Sequence, residues 1–202
     1  MKKNLLLSLM FCCFAVTSLV ASDFKSSLEK IEVLKDKGIS YNVSSTTFGK
    51  KQQTVNATIY MKGDKIKIDA AEGITILDGK NAYIYMEKEK TAMKMNIDSD
   101  NVKQTTFDLV KDKGDELKFV EKSKKNGYFC QVFKSKDPSK DIVYYLTDDY
   151  GLPTYVKEEN AETNITNFQI GKVSDNIFVL PEDVNIIDMS NFSMEDFIKD
   201  NM

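Results

Sequence analysis

Thr54-Val55-Asn56-Ala57-Thr58-Ile59-Tyr60-Met61-Lys62-Gly63-Asp64-Lys65-Ile66-Lys67-Ile68-Asp69 alternates apolar and polar side chains on both sides of a Gly-Asp turn. Successive side chains of a strand point to opposite faces, so each half lays a row of apolar groups on one face of a sheet. The same period of two returns at Ile74/Ile76, Ala82/Ile84/Met86 and Met93/Met95. Working outward, this rhythm predicts strands at 39–48, 53–62, 65–70, 74–78, 82–87, 91–97, 115–122, 128–136, 141–147, 154–159 and 162–170. Gly63-Asp64, Ala71-Glu72-Gly73, Asp78-Gly79 and above all Asn126-Gly127 supply turn residues at the joints. Ile177–Pro181 reads as a short apolar strand stopped by proline, and Asn185–Asp188 as a last extended piece.

Helical signals are fewer. Phe24, Leu28, Ile31 and Leu34 fall on one stripe of an expected helix from Phe24 to Lys37, which Gly38 is placed to end. A weaker helix is expected over Asn101–Lys113, and a capped final turn from Ser193 to about Lys199. The expected class is therefore mainly β (α+β), one antiparallel sheet of about eleven strands with two or three covering helices.

Residues 1–22 read as a cleaved signal peptide. Lys2 and Lys3 form its basic start, Leu5–Val20 its apolar core, and Val20-Ala21-Ser22 its cleavage site. Cys12 and Cys13 raise the alternative of a lipidated, tethered form; Phe11 before Cys12 is the wrong residue for such a site, and both cysteines are taken as part of the discarded peptide. Residues 23–202 then form a single exported domain, expected to be periplasmic, soluble and monomeric. The domain keeps only Cys130, which excludes an internal disulfide and is expected to be buried.

Composition closes off most catalytic chemistry. The chain has no His and no Trp, and all 28 basic residues are Lys. Without His there is no Ser-His-Asp or Cys-His pair and no imidazole metal ligand. Without Arg there is no bidentate clamp for phosphate or carboxylate. Loss of Lys2 and Lys3 leaves 26 lysines against 31 acids, interspersed through the turns, which argues against a nucleic-acid partner. No enzyme activity, catalytic residue, metal or cofactor is expected.

Several features have an ordinary reading beside a functional one. Asp98-Ser99-Asp100, Asp148-Asp149 and Glu182-Asp183 lack the spacing of a calcium loop and are read as solvated turns. The lysine runs 88–90, 122–125 and 134–140 blunt hairpin ends. Tyr83/Tyr85 and Tyr144/Tyr145 suit cross-strand packing. The apolar face itself is either core packed on helices or a lipid cavity; too few helices for the strands, together with Met61, Met86, Met93 and Met95, favour weighing the cavity seriously.

Several runs resemble the outer-membrane lipoprotein-sorting (LolA-like) superfamily. Ile59–Asp69 is similar to its strand, K-G-D-K/R, strand segment, and Ile76–Tyr85 to its D-G-x-x-x-Y-x-Y hairpin. Tyr145–Thr154 resembles its strand, turn, L-P segment, and Phe168–Pro181 with Val184 and Ile186 its closing stretch. The Met-rich segment Tyr85–Met95 looks like an uncharacterised periplasmic branch of that superfamily. The resemblance implies a curved antiparallel half-barrel under a helical lid, carrying acyl chains of lipoproteins or lipids between membrane-bound donor and acceptor proteins. It implies a lining of Val55, Ala57, Ile59, Met61, Ile66, Ile68, Ile74, Ile76, Ile84, Met86, Met93 and Met95. The family's carriers use a barrel arginine to open and close; this chain has none, so that switch does not carry over. The alternative is an envelope interaction or sensor module with the same fold and a filled core.

Overall fold

The computed structural model describes residue 34 and residues 36–49, 51–97 and 116–189. The signal peptide, Cys12, Cys13 and the expected helix 101–113 lie outside the described residues, as do the final turn from Ser193 and most of the first helix. Within them run twelve strands: β1 Ile39–Thr47, β2 Gln53–Lys62, β3 Lys65–Ala70, β4 Gly73–Leu77, β5 Asn81–Met86, β6 Thr91–Asn96, β7 Leu117–Lys125, β8 Tyr128–Ser135, β9 Val143–Thr147, β10 Pro153–Glu158, β11 Ala161–Ile170 and β12 Asn185–Asp188. All belong to one sheet, ordered β12-β6-β5-β4-β3-β2-β1-β11-β10-β9-β8-β7. Every neighbouring pair is antiparallel except β12, which lies parallel on β6.

Three expectations are corrected. The half-barrel of about eleven strands under two or three helices is instead one open sheet of twelve strands, whose edge strands β12 and β7 do not meet. Among the described residues no covering helix is seen: Leu34, Asp36 and Lys37 are helical, and the remaining helical element is a 3-10 turn at Asp175–Phe178. That turn replaces the strand expected at Ile177–Pro181. Ser174, Asp175 and Asn176 favour turns over extended chain, and the tight turn buries Phe178 while Val179 points outward.

Turn chemistry sets the register. Gly63-Asp64 joins Lys62 to its partner Lys65, and Ala71-Glu72 joins Ala70 to Gly73. A two-residue turn links an even position to an odd one, so the row facing a given side switches parity at each such turn. Asn126 and Gly127 have φ of 51° and 86°, as the expected Asn-Gly turn between β7 and β8 requires. Asn167 (φ 57°) marks an irregularity in β11, opposite Ser40–Asn42, that turns Phe168 towards Tyr41, with ring centroids 5.7 Å apart.

The sheet is apolar on parts of both faces. The front face, carrying Ile59, holds one cluster of Leu34, Ile39, Tyr41, Val43, Val55, Ala57, Ile59, Ile68, Leu152 and Ile165. A second group there joins Leu77, Ala82 and Met95, with Ile66, Ile84, Ile97 and Met189 against it. Leu117, Phe133, Tyr144, Leu146 and Val156 form a third cluster towards β7. On the back face, Ile74, Ile76, Tyr85 and Ala92 pack beneath Val173 and Phe178, with Ile177, Leu180 and Val184 around them. The chain after β11 thus crosses the back of the sheet before β12 joins the β6 edge, where the Asn185 amide donates to the Lys90 carbonyl and the Met189 amide to that of Lys94.

Candidate functional site: the front apolar face and its cleft

Cross-strand partners in an antiparallel ladder share a face, so the register assigns each expected lining residue. Met61 faces Ile66 and Ile59 faces Ile68, while Ala57 faces Ala70. Ile84 faces Met93, Ala82 faces Met95, and Met86 lies opposite Thr91. Thr75 pairs both Ile68 and Ile84, which ties the two groups to one face. Val55, Ala57, Ile59, Met61, Ile66, Ile68, Ile84, Met86, Met93 and Met95 are therefore together on the front.

Ile74 and Ile76 are on the other side. They pair with Asp69 and Lys67 in β3 and with Tyr85 and Tyr83 in β5. The front positions of β4 are Gly73, Thr75 and Leu77 instead. Counting parity across the Ala71-Glu72 turn would have found Leu77; the apolar alternation of Ile74 and Ile76 concealed it.

Burial grades along the front face. Val55, Ala57, Ile59, Ile68 and Met95 are buried, Ile59 completely, whereas Met61, Ile66, Ile84, Met86 and Met93 remain half-buried. The Tyr41 hydroxyl reaches the Met61 sulfur at 3.6 Å, placing a polar group amid thioether and alkyl surface. Three of the five half-buried members are methionines, whose unbranched side chains adapt to an apolar ligand without unpacking Ile59.

A cleft of about 440 Å³ lies where this cluster meets the β7–β8 hairpin and the β9–β10 connection. Leu152, Phe168 and Ile170 form its apolar side, and all three pack in the Ile59 cluster. Tyr128 meets Phe168 edge-on at 5.4 Å. Phe129 and Tyr150 also line it, standing 67% and 44% exposed, and Asp148 and Asp149 supply carboxylates. The Lys122 ammonium donates to Asp148 Oδ2 at 2.9 Å, while Oδ1 is buried with no partner among the described residues. The Thr147 side chain accepts the Leu152 amide at 3.0 Å and its carbonyl accepts that of Gly151, holding the connection in shape. The volume is within the range of small-molecule sites. In the sequence Asp148-Asp149 reads as a solvated turn, and the cleft is not legible there because its walls come from three separated segments.

Elsewhere the polar groups serve the scaffold. Asp78 accepts the amides of Asn81 (2.7 Å) and Lys80 (3.0 Å) in the β4–β5 turn. Partial burial opposes its charge, but these hydrogen bonds win and hold its carboxyl below the usual range. Burial pushes the Tyr83 hydroxyl up, helped by the Asp78 carboxylate. Cys130 is fully buried beside Thr154 (3.3 Å), and burial raises its thiol. Lys125 lies over the Tyr155 ring at 3.9 Å and Lys124 over Phe129 at 4.5 Å, so part of the lysine run caps aromatic faces.

No family model matches the chain, and no curated protein does. Among solved structures it is similar to an uncharacterised conserved protein from Thermus thermophilus, with a TM-score of 0.56 at 9% identity over 81% of this chain and 98% of that one. It is also similar to a LolA superfamily protein from Nitrosomonas europaea (TM-score 0.41, 10% identity, 77% of this chain and 96% of that one). A chain in the Pseudomonas aeruginosa MucA/MucB complex gives a TM-score of 0.45 at 11% identity over 82% of this chain; this chain spans 64% of its length. The Thermus likeness is one of fold alone.

Proposed function

We propose that this is an exported, periplasmic lipid-binding protein that holds acyl chains of lipoproteins or lipids against the front face of its sheet, as the LolA-like resemblance of its sequence implies. The observation that carries this reading is the gathering of ten expected lining residues on one face, next to a cleft whose apolar side belongs to the same cluster. Five of the ten are half-buried and include three methionines, surface that repacks readily around a chain of variable length. Burial of each methylene contributes roughly 0.8 kcal/mol, so a chain of about fourteen carbons gains ~10 kcal/mol before ordering costs.

The test is uptake of a fluorescent fatty acid by the exported chain and by Met86→Glu, a half-buried position where a charge is tolerable to the fold. Saturable uptake lost in the variant, with unchanged circular dichroism, supports the reading; no uptake by the parent protein removes it. The alternative is an envelope interaction module with a filled core, favoured by one specific observation: Ile59 is 0% exposed. Under that reading no lipid is taken up and the front face is a scaffold.

A further inference from the structure

We infer that the cleft between the β7–β8 hairpin and the β9–β10 connection receives the headgroup of a zwitterionic phospholipid. This inference rests on the lipid-binding reading and makes it more specific. The apolar side of the cleft, Leu152, Phe168 and Ile170, is part of the cluster that contains Ile59 and Ile68, so a ligand whose chain lies on the front face has its polar end here. The surroundings of the cleft carry both signs of charge. Asp149, exposed on the β9–β10 connection, makes no ion pair among the described residues, and Tyr150 beside it presents a ring that is 44% exposed. A carboxylate next to an aromatic face suits an ammonium group, by charge and by cation–π attraction.

Beside the cleft the hairpin carries Lys122, whose ammonium pairs with Asp148 at 2.9 Å, and Lys124, whose ammonium sits 4.5 Å from the ring centre of the cleft-lining Phe129. Both lysines lie on the exposed edge strand and meet a phosphate without burying charge. A fatty acid satisfies only the lysine side and an anionic headgroup leaves Asp149 facing like charge. A phosphate joined by two carbons to an ammonium meets both. Two large aromatic side chains held in water at one end of the cleft, Phe129 and Tyr150, are also what such a headgroup would cover.

The experiment titrates the exported chain, by calorimetry, with three short-chain ligands below their micellar concentrations: dihexanoylphosphatidylcholine, dihexanoylphosphatidylglycerol and uncharged octanoylglycerol. The expected result is about a tenfold preference for the choline over the glycerol headgroup, the size of one charge-assisted contact. Asp149→Lys should abolish that preference. Glu72→Lys, the same charge change on an exposed turn elsewhere, should leave the preference intact. Equal affinity for the two phospholipids, or a preference that survives Asp149→Lys, overturns the headgroup site while lipid binding stands. Failure of all three ligands to bind overturns both.

Discussion

The ring of Tyr128 meets the ring of Phe168 edge-on, with centroids 5.4 Å apart and planes at 78°. This pair ties the start of β8 to the irregular end of β11 and brings the front apolar cluster up against the cleft. Phe168 touches Tyr41 as well, at 5.7 Å. Replacing it with Ala removes both aromatic contacts, and Phe168→Ala should lower stability by about 2 kcal/mol. Urea unfolding checks this. The same variant should weaken uptake of any acyl ligand, because it opens one wall of the cleft.

The two faces of the sheet should separate in function. Ile66 is half-buried on the front and Ile76 is buried on the back beneath the Val173–Val184 segment. Ile76→Ala should cost about 2–4 kcal/mol and leave lipid uptake unchanged once folded; Ile66→Ala should cost less and reduce uptake. Paired urea and fatty-acid titrations on the two variants distinguish the outcomes, and uptake lost only in Ile76→Ala would reverse the assignment of faces.

Gly38 sits at φ +84°, and a Cβ placed there would lie 2.9 Å from the Val173 Cβ. The same residue accepts the Gly171 amide at 2.8 Å, where β11 gives way to the segment on the back face. Gly38→Ala therefore combines left-handed strain with a clash against backbone-fixed atoms. It should destabilise the protein by about 1–3 kcal/mol, measured as a lowered urea midpoint with unchanged slope.

Acid should weaken the β4–β5 turn. The Asp78 carboxyl is held below its unfolded value by the Asn81 and Lys80 amides, against the opposing effect of partial burial. Its contribution is thus fully present above the unfolded carboxylate value and lost as pH falls through the lower folded one. Asp78→Asn should be less stable than the parent at neutral pH, and the two should converge as acidification protonates the Asp78 carboxyl, below the usual carboxylate range. Thermal melts along that acidification check the sign.

Cys130 is 0% exposed and its thiol is raised by burial. A thiol reagent at mildly alkaline pH should label it slowly in the native protein and completely in denaturant. Rapid native labelling would mean that β8 opens locally.

Much of the sheet was legible because alternation and turn residues act over a few positions. The strands β1 to β11 fall within a few residues of their expected ends, and Asn126-Gly127 adopts its expected turn conformation. What failed depended on distant partners. Ile74 and Ile76 look like a front-facing pair until the turn before them is counted, and Ile177–Leu180 looks like a strand until Ser174–Asn176 is seen to coil it against Tyr85. The cleft was invisible in sequence because Tyr128, Tyr150 and Phe168 meet only through the β11-β10-β9-β8 order of strands. The open sheet without a covering helix among the described residues also follows from long-range packing: an irregular chain can cover Ile76 as well as a helix can.

The central claim is that the front face holds a lipid, and native mass spectrometry of the protein purified from its cells without added detergent, paired with lipid extraction, tests it most directly. The account predicts a bound phospholipid or acylated species on the parent protein and its loss in Met86→Glu with the fold intact. An unliganded mass, with no lipid in the extract and no uptake of added short-chain lipid, would contradict it.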